Sequence, residues 1–467
     1  MKSLHHAFWR LGLALALGCQ ALAGGMAEPP PGSPFQDWLA IIRTCSTPLP
    51  DWIGHSSLLS YPARKPVYDP DGYPVPGPGG RQLTVPVTLT GRVFFPPAWR
   101  VPDGARLPLV LYSHATEMRR GAVPSAFDGD EWKLGAAAAA CYGFAVAMPD
   151  QPGLGGDSTG YHPFCQARSL AYATLDSLPA IQRLGDQDPY LMEHRYGWSG
   201  ELFMLGYSEG GYTTLASVKE WETHAGQYEG GSCFTLTGSA CMAGPFDLSG
   251  SMRGTFIAPG LGYPRSYYLP YFVLGYHGVY GQAFDPDAVL APALLETGPA
   301  GNILQWADGT RDGPEVDLEV GRRLGMPPDA INLRRLFNPL WLARELDDPA
   351  YATSRVHGLL AENDLYDGWV PTRPILFRQS PDDGNIPYAN TLITLDRLGE
   401  AIRQAGGDPG ALLLSLPIGR PGDHVSHLDG AYLALPSAFA WFYFGMPDLA
   451  SMPAMATRIM GPIPSPQ

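Results

Sequence analysis

The stretch Leu202–Gly211 (LFMLGYSEGG) decides the fold, and a helix-compatible run, Tyr212 to Val218, follows it directly. Four apolar residues, a glycine-rich turn and a helix predict a strand that bends sharply into a helix. In such a bend Ser208 takes a strained backbone conformation, and Gly206 and Gly210 let strand and helix approach without Cβ clashes. The serine hydroxyl then projects from the carboxyl end of the strand, beside a helix N-terminus that favours negative charge. Ser208 is therefore the candidate nucleophile.

A second Gly-x-Ser-x-Gly match, Gly156–Gly160, contains Ser158. With 56 glycines in 467 residues, such a pattern arises easily by chance. This second match is separated from the preceding strand by a glycine-rich loop, and Tyr161–Pro163 rather than a helix follows it. Because the bend needs a strand directly before the serine and a helix directly after it, the context favours Ser208 over Ser158.

From Leu107 onward, short apolar runs alternate with longer helical stretches. Strands are predicted at Leu107–Ser113, Phe144–Met148, Leu202–Leu205, Phe234–Ala240, Pro374–Phe377 and Leu412–Leu416, and helices at Glu131–Cys141, Ala167–Leu184 and Asn390–Gln404. This repetition favours an α/β fold whose mostly parallel central sheet is covered by helices on both faces. The alternation at Leu83–Phe95 predicts antiparallel strands at a sheet edge, within a Pro- and Gly-rich segment that otherwise suggests loops.

The strand and helix alternation is lost between residues 246 and 362, and we interpret this segment as an inserted cap. The predicted organisation is a leader at 1–23, a Pro- and Gly-rich segment with edge strands at 24–102, the first half of the core at 103–245, the cap at 246–362, the second half of the core at 363–445 and a tail at 446–467.

Within the predicted cap, the uncharged stretch Ser266–Phe284 is crowded with aromatic residues. Gly, Pro and His interrupt it, which argues against a membrane span. Two interpretations stay open. The aromatic side chains could line the site, with Tyr207, Tyr271 and Phe272 as the candidate substrate-binding residues, or they could form a packing layer with a core of its own.

A serine nucleophile needs a base and an acid, and both candidates follow late predicted strands. Asp382 and Asp383 come after Pro374–Phe377, and His424 and His427 come after Leu412–Leu416. We favour Asp383, because a turn of the type Ser-Pro-Asp-Asp-Gly already uses its first Asp for backbone bonding. We also favour His424 over His427.

The oxyanion that forms on attack needs backbone N–H donors that are already in place. One donor is expected from Glu209, directly after the nucleophile, with its carboxylate pointing away because a negative charge would oppose the developing anion. The second donor is expected from Ala115 or Thr116, since His114-Ala115-Thr116 follows the strand that ends at Ser113.

Several short motifs together carry a resemblance to a known family. They are Pro149–Gly155, Tyr161–Phe164, Gly206–Gly211, Asp383–Pro387 and Asp423–Val425. Together they resemble the secretory lipase family of α/β-hydrolases, the lipase A type, over roughly Leu107 to Phe444. The resemblance implies a capped α/β-hydrolase fold, hydrolysis of carboxylic esters, and a catalytic triad of Ser208, Asp383 and His424. Many relatives carry His-Gly where this chain has His114-Ala115.

The composition and net charge narrow the classes of molecule that this protein is expected to bind. Hydrophobic residues at 45% describe a globular chain, and 31 Lys plus Arg against 45 Asp plus Glu give a formal charge of -14. Such a charge repels phosphate backbones at long range, so nucleic acid is excluded as an expected partner. A small-molecule ester or a lipid is the expected substrate. The sequence shows no zinc-ligand spacing, phosphate loop or dinucleotide fingerprint, so no metal or cofactor is expected.

The first 23 residues have basic Lys2 and Arg10, an apolar run from Leu11 to Leu17 and small residues at Ala21 and Ala23. This pattern predicts a cleaved signal peptide and an exported protein, periplasmic or secreted. Lipoprotein anchoring at Cys19 is the less favoured alternative. No later run reaches about 18 apolar residues, so no integral membrane segment is expected after the leader is removed.

An odd number of cysteines follows the leader: Cys45, Cys141, Cys165, Cys233 and Cys241. At least one of them should stay unpaired in a disulfide-permitting compartment. Cys233 and Cys241 flank a predicted strand, which holds them too far apart to bond to each other.

We therefore expect an exported serine esterase or lipase that works through an acyl-serine intermediate. The alternatives are a serine peptidase on the same fold and a non-catalytic binding protein that has kept the fold.

Overall fold

The computed structural model describes residues 49, 53–157, 160–228, 231–260, 262–299 and 301–446. The predicted leader, Cys19, Cys45, Ser158 and nearly all of the predicted tail lie outside these residues. The strands are β1 His55–Pro66, β2 Thr84–Phe95, β3 Arg106–Ser113, β4 Ala145–Pro149, β5 Gly197–Tyr207, β6 Thr235–Met242, β7 Ile375–Arg378 and β8 Leu413–Ser415.

These strands form one sheet in the order β1-β2-β4-β3-β5-β6-β7-β8. β1 pairs with β2, and β2 with β4, in antiparallel register. Every pairing from β4 through β3, β5, β6 and β7 to β8 is parallel. The expectation of a mostly parallel sheet with an antiparallel edge is confirmed.

The predicted strands all occur, and β1 is an addition that the sequence did not indicate. The Pro- and Gly-rich composition around His55–Pro66 predicts a loop, yet this segment pairs with β2 along its whole length, from His55 opposite Phe95 to Pro66 opposite Thr84. Pro62 and Pro66 are compatible with this strand because it lies at the sheet edge, where a missing N–H faces no partner strand. Long-range pairing with β2 outweighed the local turn signals.

The α-helices occupy both faces of the sheet and the segment between β6 and β7. They are α1 Glu131–Tyr142, α2 Ala167–Leu175, α3 Leu178–Gln187, α4 Pro189–Glu193, α5 Glu209–Thr223, α6 Ala225–Tyr228, α7 Arg253–Ile257, α8 Tyr268–Tyr280, α9 Pro286–Val289, α10 Pro292–Leu295, α11 Ile303–Trp306, α12 Gly313–Leu324, α13 Pro339–Glu345, α14 Arg355–Ala361, α15 Ala389–Gln404, α16 Pro409–Leu412 and α17 His427–Tyr443. The single helix predicted over Ala167–Leu184 is two helices, because Pro179 lies in the first turn of α3 and cannot continue α2.

Alternate residues of each central strand enter opposite cores. Val110 of β3 joins a core with α1 and α17, whereas Leu111 of the same strand joins a larger core with α2, α5 and α8. This period of two is the geometry of a strand buried on both faces. The prediction that helices cover both faces of the sheet is therefore confirmed.

The segment predicted as a cap, residues 246–362, holds helices, turns and isolated bridges, and no strand of the sheet lies among its described residues. Its aromatic stretch forms α8, whose Tyr276 and Tyr280 are completely buried in the larger core. The bounds of the cap as a separate unit stay a prediction.

Among the described residues no helix is both long and apolar enough to cross a bilayer. Cys233 and Cys241 form no disulfide, as the spacing around β6 predicted.

Neighbouring residues of β1 provide a test of this edge strand. Leu59 is 2% exposed and Leu58 is 58% exposed. We expect Leu59→Ala to lower the free energy of unfolding by about 2–5 kcal/mol, because it leaves a cavity in the larger core. Leu58→Ala, the matched control, should change it by less than about 0.5 kcal/mol. Urea unfolding followed by circular dichroism measures both, and equal effects would contradict the register of β1.

Candidate active site

Ser208 occupies a sharp bend between β5 and α5. Its backbone has φ 60° and ψ -125°, a left-handed conformation that costs free energy in a residue with a side chain. The Ser208 N–H donates to Met242 O on β6 at 2.9 Å. A Cβ on Gly206 would lie 2.2 Å from Gly210 O, and one on Gly210 would lie 2.1 Å from Ser113 O. Only glycine fits at these two positions, as the sequence predicted.

His427 connects the serine to a carboxylate. Its Nε2 lies 2.8 Å from Ser208 Oγ, and its Nδ1 lies 2.7 Å from Asp383 Oδ2. All three side chains are nearly buried, with 7%, 9% and 9% of Ser208, His427 and Asp383 exposed. Because Asp383 can only accept when ionised, Nδ1 carries the proton, which leaves Nε2 free to accept the serine hydroxyl.

The preference for His424 over His427 was wrong. His424 is exposed, and its N–H donates to Asp382 Oδ2 at 2.7 Å. That contact holds the loop before α17, whereas His427 is the first residue of α17 and is buried against the bend. One local signal could have found it: Ser426 caps α17 by accepting from Asp429 N–H, and Ser-x-x-Asp marks a helix start.

The choice of Asp383 over Asp382 agrees with the geometry. Asp383 Oδ1 accepts from the N–H groups of Asn385 and Ile386, both at 2.9 Å. Its Oδ2 accepts from Gln379 Nε2 at 3.2 Å besides His427. Four donors therefore hold this carboxylate in place.

Asp382 accepts from backbone N–H groups, those of Gly422 and His424. These bonds lower the pKa of Asp382. They give it the backbone-bonding role that its turn predicted.

Tyr207, a predicted substrate contact, instead supports the imidazole. Its hydroxyl donates to His427 O at 2.7 Å, and its ring lies 5.0 Å from the imidazole centroid. Tyr207 is 2% exposed. Tyr207 thus holds the backbone of His427, whose imidazole contacts Ser208.

The other two predicted substrate contacts, Tyr271 and Phe272, also contact other residues of the protein. Tyr271 donates to Glu117 O at 2.9 Å and borders a small cavity of about 10 Å³, which has room for at most about one water molecule. Phe272 stacks on Tyr276 with ring centroids 3.9 Å apart. Of the two interpretations of the aromatic stretch, the structure supports packing.

One of the three predicted oxyanion donors, the N–H of Ala115, is already used in a hydrogen bond within the protein. The Ala115 N–H donates to both carboxylate oxygens of Glu131, at 3.0 and 2.9 Å, so the prediction for Ala115 was wrong. The pKa of Glu131 is raised by burial. A carboxylate 16 residues away in sequence could not be assigned to Ala115 from local pattern. Thr116 and Glu209 stay the predicted donors.

The arrangement can activate a hydroxyl nucleophile. The imidazole is held by a carboxylate on one side and contacts the hydroxyl on the other, which is the geometry for removing the serine proton during attack. Within the described parts of the chain, no group of three or more His, Cys, Asp and Glu residues is arranged to hold a metal ion.

Solved structures share this fold. The rice cell wall degrading esterase LipA from Xanthomonas oryzae is 20% identical, with a TM-score of 0.59 over 87% of this chain and 92% of its own. Candida antarctica lipase A is 15% identical, with a TM-score of 0.52 over 93% and 90%. A Legionella pneumophila protein described only as a hydrolase is 20% identical, with a TM-score of 0.63 over 88% and 95%.

These likenesses confirm the α/β-hydrolase fold that the sequence predicted. At such identities they speak for the fold, and the chemistry must be argued from the site. No protein-family model and no curated protein matches the sequence.

The position of His427 predicts which histidine activates the serine. We expect His427→Ala to slow labelling of Ser208 by a fluorophosphonate probe by about a hundredfold or more, since the base is lost. His424→Ala, three residues earlier in the chain, should label at close to the wild-type rate. In-gel fluorescence over time measures both rates, and the reverse ranking would contradict the site.

Glu117, directly after Thr116, predicts a pH dependence of stability. Burial, reinforced by Glu131 and opposed by Arg119, raises its pKa from 4.5 to about 8. Between these values the unfolded chain releases a proton that the folded chain keeps, so wild-type stability should fall as the pH rises.

Glu117→Gln removes this loss. The Tm of the variant relative to wild type should therefore increase from about pH 4.5 to about pH 8. The control is Glu400→Gln, because hydrogen bonds from Gln404 and Arg403 lower the pKa of Glu400. Thermal unfolding followed by circular dichroism measures the Tm values across this pH range. A Tm difference between Glu117→Gln and wild type that does not change with pH would contradict the raised pKa of Glu117.

Proposed function

We propose that this chain, with its lipase A-like α/β-hydrolase fold, is a serine hydrolase that cleaves carboxylic esters through an acyl-serine intermediate. One observation carries the proposal: His427 contacts Ser208 Oγ at 2.8 Å and Asp383 Oδ2 at 2.7 Å at the same time. A hydroxyl, a base and an acid in this order are the parts that acyl transfer needs.

In the acylation step, His427 Nε2 takes the proton of Ser208 while Oγ attacks the ester carbonyl carbon. The C=O π electrons move to the oxygen, and a tetrahedral oxyanion forms. When it collapses, the bond to the alcohol oxygen breaks and His427 gives its proton to the leaving alcohol. The Asp383 carboxylate stabilises the transient imidazolium.

In the deacylation step, His427 removes a proton from a water molecule, which attacks the acyl-serine carbonyl. The bond from the acyl carbon to Oγ then breaks, Ser208 regains its proton from His427, and the carboxylic acid leaves. The N–H groups of Glu209 and Thr116 are the donors we assign to the oxyanion in both steps.

Two comparisons support the ester as substrate class. The Xanthomonas oryzae structure is that of an esterase and the Candida antarctica structure is that of a lipase. We assign this chain the shared substrate chemistry, a small-molecule ester or a lipid. Export, which rests on the predicted leader, stays a prediction.

Ser208→Ala tests the proposal. Wild-type protein should release p-nitrophenol from p-nitrophenyl acetate and p-nitrophenyl butyrate, and the variant should lose this activity by a factor of about 10⁴ or more. Ser217→Ala is the matched control, because Ser217 lies on the same helix α5 and its hydroxyl donates to Thr213 O within that helix. The control should keep its activity.

Three results would overturn the proposal: no ester turnover by the wild type, unchanged turnover by Ser208→Ala, or faster release of p-nitroaniline from peptide anilides than of p-nitrophenol from esters. The last result would assign a peptidase. Circular dichroism on each variant shows whether the fold is retained.

A further inference from the structure

The side chain of Glu209, the residue after the nucleophile, enters the protein interior. Glu209 Oε1 lies 2.6 Å from His162 Nε2, and the two side chains are 3% and 1% exposed. His162 belongs to the loop between β4 and α2, so this contact joins the bend at Ser208 to a separate part of the chain. In the described chain, His162 is the basic side chain that pairs with Glu209.

The number of protons in this pair follows from its hydrogen bonds. His162 Nδ1 lies 2.7 Å from Pro152 O, and a carbonyl oxygen can only accept, so Nδ1 carries a hydrogen. At 2.6 Å, Nε2 and Oε1 must share one more hydrogen, since two bare acceptors would repel. The pair is either imidazolium with carboxylate or imidazole with carboxylic acid. Its net charge is zero in both forms.

Packing holds the imidazole in this position. The Tyr271 ring stacks on it with centroids 5.7 Å apart and planes 21° apart. The backbone on either side approaches closely: a Cβ on Gly153 would lie 2.7 Å from His162 N, and one on Gly275 would lie 2.4 Å from His162 O. His162 is thus fixed between the loop after β4 and helix α8.

The charge of Glu209 contributes to the electrostatics of four further titratable groups, Glu131, Cys165, Tyr268 and Tyr271. Burial raises the pKa of each of these four groups. None of them supplies a positive charge. Among the described residues, His162 is the basic side chain in direct contact with Glu209, and it is therefore placed to neutralise an ionised Glu209.

We propose that His162 is a positioning residue that keeps Glu209 electrically neutral, so that the backbone N–H next to the nucleophile can stabilise an oxyanion without opposition from the side chain of the same residue. This inference rests on the proposed ester hydrolysis. A negative charge inside a water-poor site acts over several ångströms, so an unpaired carboxylate here would raise the energy of the oxyanion.

Three variants separate neutralisation from simple tethering. In His162→Gln, the amide can still donate a hydrogen bond to Glu209 but cannot carry a positive charge. In Glu209→Gln, the amide can donate to His162 Nε2, and the pair stays neutral. The double variant is also neutral. His162→Gln alone leaves a net negative charge.

We expect kcat for p-nitrophenyl butyrate at about pH 8 to fall at least tenfold in His162→Gln, with little change in KM. The double variant should recover to the kcat of Glu209→Gln, which serves as the reference because its pair is neutral. A double variant as slow as His162→Gln would overturn the proposal, because it would show that only the contact matters.

Thermal unfolding provides a readout independent of turnover. Relative to Glu209→Gln, the Tm of His162→Gln should fall from about pH 5 to about pH 8, because ionising a buried carboxylate without a cation costs free energy. Parallel Tm curves would overturn the neutral pair even if wild type were inactive. If wild type neither hydrolyses esters nor reacts with a fluorophosphonate, the proposed function fails, whatever the Tm curves show.

Discussion

Ser208 is held at φ 60° and ψ -125° because β5 must turn into α5 at a single residue. The bend survives because Gly206 and Gly210 bring strand, helix and β3 into backbone contact, where no Cβ would fit. The N–H of Ser208 is anchored on Met242 O of β6. Three strands therefore over-determine the position of one hydroxyl. The imidazole, the carboxylate and the candidate oxyanion donors can act together only because the Ser208 hydroxyl is held at this position.

Three acidic side chains lie near the bend, and each of them has specific hydrogen-bonding partners. Asp383 accepts from four donors, including His427. Glu131 accepts from Tyr112 Oη and from Ala115 N, and Glu209 meets His162. A reaction that builds negative charge on a substrate oxygen needs this arrangement, since buried carboxylates without partners would oppose the charge.

The aromatic helix α8 serves the site indirectly. It presents Tyr271 to the His162 imidazole and donates a hydrogen bond from the same side chain to Glu117 O, in the segment after β3. Phe272 and Tyr276 stack within the larger core. An uncharged aromatic helix therefore acts as packing that fixes two loops at the carboxyl edge of the sheet, and its buried area stabilises the segment that bears it.

The sequence by itself determined the bend at Ser208, the parallel core of the sheet and the preference for Asp383, because each depends on residue types a few positions apart. It offered one local signal for His427, the helix start at Ser426, but it could not show that the docking of α17 brings His427 rather than His424 against Ser208. Nor could it show that Glu131 accepts a hydrogen bond from the Ala115 N–H, or that His55–Pro66 is a strand. Those outcomes depend on contacts between segments far apart in the chain, and such contacts leave no local pattern to read.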